Sequence, residues 1–174
     1  MKKISKKKLT ELNKLVSIDK IRKVIQILRD PDGGCPWDLK QDYNSLAPYS
    51  IEEAYELVNA IEKNDVKEIK NELGDLLLQV ILISQIASDQ GDFDFDDVAN
   101  EISQKIIRRH PQIFDTKYKM NDLPQDSWER IKNLEKRNKK SSLTNTLDQI
   151  ENNMPTIIRS VKIQKKAASL NFDW

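Results

Sequence analysis

Apolar residues recur at spacings of three and four along most of the chain, the pattern of helices that each bury one stripe. Residues 18–29 set Ile18, Ile21, Ile25 and Leu28 on one face, and the pattern stops at the breakers Asp30-Pro31-Asp32-Gly33-Gly34. Residues 35–49 show neither helical nor strand periodicity and read as an ordered loop. Ser50 with Glu53 three positions later predicts a capping box and a second helix. Asn64-Asp65 marks a turn, and Asp65 with Glu68 repeats the start signal for a third helix ending near Gly91. At 1.5 Å per residue that helix is ~37 Å long. Its middle, LGDLLLQVILI, is apolar nearly all round, which predicts burial on several sides in a bundle core or a subunit interface. A fourth helix is expected after the acidic DFDFDD, whose carboxylates suit a helix N-terminus, and ends at His110-Pro111. Residues 115–126 read as a loop, 127–140 as a basic helix capped by Ser127, and Pro155 opens a last helix to about Leu170.

The expected fold class is therefore all-α, a helical bundle with a short-looped helical hairpin at its centre. Residues 1–17 read as a basic N-terminal tail and 18–174 as a single domain, with 127–174 as its C-terminal helical extension. The length of 174 residues suits one domain. The 29 Lys and Arg nearly cancel the 28 Asp and Glu, which argues against a globally basic nucleic-acid binder. A single cysteine, Cys35, leaves no intramolecular disulfide and fits a reducing cytoplasm. A single histidine, His110, excludes multi-histidine metal sites and argues against a Ser/His/Asp triad. With four glycines there is no Gly-rich phosphate loop, so any phosphate chemistry falls to side chains and metal. No apolar segment follows the N-terminal lysines, and the apolar run Leu76 to Ile83 is far short of the ~20 residues that span a bilayer. A soluble cytoplasmic protein without a membrane partner is expected.

Candidate chemistry lies on the hairpin. Glu53 and Glu56 stand one turn apart on the second helix, with Glu52 beside them. Glu72 and Asp75 repeat the spacing on the third, and Gln79 continues their strip beside the core candidates Leu82, Ile83 and Ile86. Facing across the hairpin, these anions repel by several kcal/mol even at an effective dielectric of ~20 and call for a counter-charge. Mg2+ is the natural one, since it takes hard oxygen ligands and bridges phosphate oxygens. The alternative is a solvated acidic face, because the glutamates lie opposite the Ile51/Val58 stripe. Lys105, Arg108 and Arg109 form a cationic face on the fourth helix, suited to phosphate or simply to the negative end of the helix dipole. Trp37 and Gln41 suit a nucleobase, by stacking and hydrogen bonding, although Trp37 could equally plug the end of the bundle. The basic run 132–140 and the N-terminal lysines read more readily as solvated surface than as nucleic-acid contacts.

The stretch LRDPDGGCPWDLKQDYNSLAPYSIEEAYELVNAIEKND, followed by NELGDLLLQV, KIIRRHPQIF, SWERIKNLEK and the final NFDW, closely resembles the MazG nucleoside triphosphate pyrophosphohydrolases over residues 18–174. The resemblance implies an all-α bundle of the MazG type, usually a homodimer, here through the apolar third helix. It also implies Mg2+-dependent hydrolysis of nucleoside triphosphates to monophosphate and pyrophosphate, a house-cleaning of the nucleotide pool, with Mn2+ as a substitute cation. By position, Glu53, Glu56, Glu72 and Asp75 hold the metal, while Lys105, Arg108 and Arg109 meet the phosphates. Trp37, Asp38 and Gln41 match the WD-x-x-Q segment near the nucleotide. Glu53 or Glu52 is the expected base, and Lys105 and Arg109 are expected to act in catalysis. The chain has Gln112 and Ile113 where members often have HPHVF, and Ile83 where they often have histidine. Many members carry two tandem copies, so the chain is expected either as a single-domain form or as the first half of a longer protein. The competing expectation is a catalytically silent copy that serves as a helical dimerisation or protein- or RNA-binding module.

Overall fold

The computed structural model describes residues 5–116, 150 and 154–168. The described residues are helical and contain no strand, as the all-α reading requires. They fall into two compact units, Met1–Ser103 and Gln104–Trp174. The first unit holds α1 (Lys6–Lys14), α2 (Ser17–Leu28), α3 (Pro36–Leu39), α4 (Tyr43–Glu62) and α5 (Val66–Gln90). It also holds the start of α6 (Phe95–Arg109), whose end lies in the second unit with α7 (Pro111–Phe114) and α8 (Thr156–Ala168). The expected helix over 127–140 and the NFDW terminus lie outside the described residues, as does the expected loop beyond residue 116.

Local chemistry explains the element ends. Asp65 caps α5 by accepting from the Lys67 and Glu68 amides, and Gly91 ends it at φ 78°, a left-handed position suited to glycine. Asn64, at φ 54°, makes the α4–α5 turn tight. Asp94 caps α6 from the amides of Asp96 and Asp97. Three expectations are corrected. The lysine-rich stretch read as a tail is helical over Lys6–Lys14. The stretch 35–49 is not a loop throughout: Pro36–Leu39 forms a turn of helix and α4 begins at Tyr43. The start of α4 is capped by Asp42, not Ser50. Asp42 accepts from the Ser45 amide while the Ser45 hydroxyl accepts from the Asp42 amide, a reciprocal box eight residues earlier. Ser50 is inside the helix and donates to the Leu46 carbonyl at 3.2 Å.

The core lies where α2 and the α4–α5 hairpin meet. Ile25, Leu46, Ile81, Leu82 and Ile86 are buried together, with Ile18, Ile21, Leu28, Leu78, Ile83 and Phe95 packed against them. Arg22 of α2 forks onto the Asp96 carboxylate at 2.8 and 2.9 Å and lies 5.1 Å from the Phe95 ring, tying α2 to the start of α6. The C-terminal half of α5 is thus core. A second face of α5 is not covered: Leu73, Leu77 and Val80 are half-exposed, as are Ile51, Tyr55 and Val58 along α4.

Candidate metal centre and the loop before α4

The α4–α5 hairpin turns the acidic strips toward each other. Carboxylate oxygens of Glu53, Glu56 and Glu72 all lie within 4.8 Å of one another. Asp75 stands one turn beyond Glu72 and acts electrostatically on both Glu53 and Glu56. Glu52 and Glu56 are exposed, Glu53 is half-buried and Glu72 is buried, so the cluster runs from solvent into the hairpin. Ile51, Tyr55 and Val58 are half-exposed, while Glu53 looks across at α5.

The electrostatics follow from the crowding. The Glu53 carboxyl is raised above the usual carboxylate range, first by lost hydration and then by Asp75, Glu56, Glu72 and Glu52. Glu56 is raised by lost hydration, then by Glu72 and Glu52, by a hydrogen bond with Glu72, and by Asp75. Glu72 is buried, and its Oε2 has no hydrogen-bond partner. Its other oxygen accepts a long hydrogen bond from the Asn71 side-chain amide, at 3.4 Å. A buried carboxylate oxygen without a donor is costly in water-poor surroundings unless a cation completes it. An all-oxygen, high-charge donor set of this kind fits Mg2+ or Mn2+.

The loop before α4 is held from several directions. Gly34 sits so close to the end of α2 that an added Cβ would stand 2.2 Å from the Leu28 carbonyl oxygen. Arg29, with a side chain only 9% exposed, pairs through Nε with Asp89 at 2.7 Å. Its Nη1 donates to the carbonyls of Asp38 and Gln41. Gln41 donates from Nε2 to the Trp37 carbonyl at 2.9 Å, and its Oε1 accepts from the Ser45 hydroxyl at 2.7 Å. Asp38 is buried. Trp37 is half-exposed, outside the core cluster, and meets Tyr49 edge to face with ring centroids 6.2 Å apart. This placement overturns the alternative in which Trp37 plugs the bundle.

The structure thus brings Glu53, Glu56 and Glu72 together with Asp75 close by, and sets Trp37 on the N-terminal half of α4. Lys105, Arg108 and Arg109 stand on the last turns of α6, in the second unit. Sequence reasoning missed Arg29 and Tyr49. Arg29 has partners up to 60 residues away and no local signature. Tyr49 precedes Glu53 by one turn, a spacing hidden when the helix was taken to start at Ser50.

Comparison with known proteins bears on the fold and family of this hairpin. Residues 41–114 match the family pattern described as the MazG nucleotide pyrophosphohydrolase domain. A protein of Escherichia coli (strain K12) named nucleoside triphosphate pyrophosphohydrolase is 42% identical over 158 residues, 90% of this chain and 59% of that protein. A Thermotoga maritima protein named nucleoside triphosphate pyrophosphohydrolase/pyrophosphatase MazG is 40% identical over 162 residues, 91% of this chain and 60% of the relative. The chain therefore spans about 60% of the length of these relatives. The crystal structure of a mazG-related protein from Thermotoga maritima superposes with a TM-score of 0.54 at 25% identity, covering 71% of this chain and all of that one. Residues 41–114, which carry the carboxylates of both hairpin helices, thus form a MazG nucleotide pyrophosphohydrolase domain.

Proposed function

We propose that the chain hydrolyses nucleoside triphosphates between the α and β phosphates, giving nucleoside monophosphate and pyrophosphate, with Mg2+ as the working cation and Mn2+ able to replace it. The observation that carries this reading is the buried, partnerless Glu72 oxygen with Glu53 and Glu56 carboxylates within 4.8 Å. Glu53, Glu56, Glu72 and Asp75 would hold the cation. Bound there, Mg2+ screens the phosphate oxygens and makes phosphorus more electrophilic. Glu53, whose carboxyl lost hydration and the neighbouring acids raise above the usual carboxylate range, or its neighbour Glu52, takes the proton from the attacking water. Lys105, Arg108 and Arg109 neutralise charge that builds on the leaving pyrophosphate. Trp37 lies on the nucleoside side of the site, and the buried Asp38 and the internally bonded Gln41 shape the segment that carries it.

The role we assign is clearance of nucleotides from the cytoplasmic pool, as a homodimer. The dimer is supported by the half-exposed apolar rows Ile51, Tyr55, Val58 on α4 and Leu73, Leu77, Val80 on α5, which a second copy would cover. No helix among the described residues is long and apolar enough to cross a membrane. The test is thermal unfolding with and without Mg2+ and nucleotide. Ligand that binds only the folded chain raises Tm by mass action, and Glu56→Gln and Asp75→Asn should lose that rise while keeping the fold. An undiminished rise in both variants would remove these carboxylates from the centre.

A further inference from the structure

The acidic pairing on the hairpin has a register, and the register does not stop at the acids. Glu56 meets Glu72 closely enough to share a hydrogen bond, and Asp75 is the charge that weighs most on Glu53. One turn further toward the start of α4, and one turn further along α5, the same antiparallel register sets Tyr49 against Gln79. Tyr49 and Glu53 are four residues apart and share a face of α4, about 6 Å along its axis. Gln79 continues the Glu72–Asp75 strip of α5 in the same way.

Gln79 is only 8% exposed, and its Oε1 has no hydrogen-bond partner. A buried amide oxygen in that state costs stability unless a donor reaches it. Tyr49 is 39% exposed, Trp37 is 51% exposed, and the two rings meet at 69° without joining the core. Half-exposed aromatic rings, which the register places opposite an unsatisfied acceptor and one turn from the candidate cation centre, match what a nucleoside offers. It has a planar ring to lie on an aromatic and N–H or O–H groups to donate.

Building on the hydrolase reading above, we infer that Tyr49 and Gln79 form the nucleoside subsite together with Trp37: the rings pack against the nucleoside and Gln79 Oε1 accepts a hydrogen bond from it. Gln41, by contrast, is a positioning residue, since its amide is already engaged by the Trp37 carbonyl and the Ser45 hydroxyl.

The experiment compares steady-state kinetics and Tm for wild type, Gln79→Leu, Tyr49→Leu and Tyr49→Phe, with ATP and dATP and saturating Mg2+. Gln79→Leu should raise KM about tenfold, the usual effect of losing a buried hydrogen bond to a ligand, while Tm stays level or rises because an orphaned acceptor is gone. Tyr49→Leu should raise KM by a similar factor, since base–aromatic contact has comparable worth, and Tyr49→Phe, which keeps the ring, should not. In both leucine variants kcat should stay within about twofold, because a nucleoside contact is made equally in the ground and transition states. A KM rise confined to ATP assigns the Gln79 bond to the ribose 2′-hydroxyl; an equal rise with dATP assigns it to a group both share. KM values for both leucine variants within about twofold of wild type, or a fall in kcat and Tm together, would overturn the subsite. Wild type that binds Mg2+ and nucleotide but turns none over would overturn the hydrolase reading alone, and the variants would then be compared by equilibrium binding of ATP. Wild type that binds no nucleotide would overturn both.

Discussion

Gly34 offers a test of the loop that seats Trp37, because the structure gives its surroundings in detail. A Cβ at this position would stand 2.2 Å from the Leu28 carbonyl oxygen, 2.7 Å from the Asp30 carbonyl oxygen and 2.9 Å from the Asp30 nitrogen. All three are backbone atoms, so no side-chain rotation relieves the contact, and alanine must push the turn open. Two short backbone hydrogen bonds close that turn, Gly34 N to Asp30 O and Cys35 N to Leu28 O, both 2.7 Å. At about 1 kcal/mol net for each bond, Gly34→Ala should cost about 2 kcal/mol. For a chain of this size that is a fall in Tm of about 4–8 °C, read by circular dichroism at helical wavelengths. The displaced Cys35 leads directly into α3, so KM for nucleotide should rise as Trp37 leaves its place beside Tyr49. A Tm within ~1 °C of wild type would refute the reasoning, because it would mean the turn yields without losing its hydrogen bonds.

Other perturbations separate the remaining parts of the account. Arg29→Met removes a buried ion pair with Asp89 and the donor to the Asp38 and Gln41 carbonyls, and should cost about 3 kcal/mol with a raised KM; an unchanged unfolding curve would contradict the clamp. Arg109→Ala should lower kcat/KM by about tenfold or more through lost phosphate contact, and unaltered kinetics would take it out of the site. The acid cluster predicts a pH dependence with a definite sign. Glu53 and Glu56 carry raised folded-state values, so the folded chain holds protons that the unfolded chain has released. Their contribution to metal-free stability is therefore full below the ordinary glutamate value and lost as pH rises through the raised one. In EDTA, cooling of the charge by acidification from neutral pH toward that range should raise Tm, less so in Glu56→Gln, whereas Mg2+ affinity should fall over the same range. A metal-free Tm that drops equally in wild type and variant over that window would show that the cluster is not strained.

The boundaries of α5 and the spacing of the acids within each helix were legible because both are local. Asp65 and Gly91 mark α5 through caps that need no tertiary partner, and i, i+3 spacing alone placed Glu53 with Glu56 and Glu72 with Asp75. The start of α4 was not legible, since Ser50 and Glu53 imitate a capping box and Pro48 looks like a breaker. The Asp42–Ser45 box overrides both, and Ser50 turns back to bond the Leu46 carbonyl. The covered side of α4 was not legible for a physical reason. Ile51 and Val58 look like a core stripe in one helix, yet in this chain they are half-exposed while Glu53 is half-buried against α5. Helical periodicity identifies two faces without saying which is covered. The anchors of the Trp37 segment were invisible because Arg29 and Asp89 meet only once the chain has folded.

Product analysis tests the central claim most directly. Purified protein incubated with each common NTP and dNTP in Mg2+ should yield nucleoside monophosphate and pyrophosphate in equal amounts, with no diphosphate, and EDTA or Glu56→Gln should abolish the reaction. Folded, nucleotide-binding protein that releases no pyrophosphate from any of them, or that releases diphosphate and inorganic phosphate instead, would contradict the account.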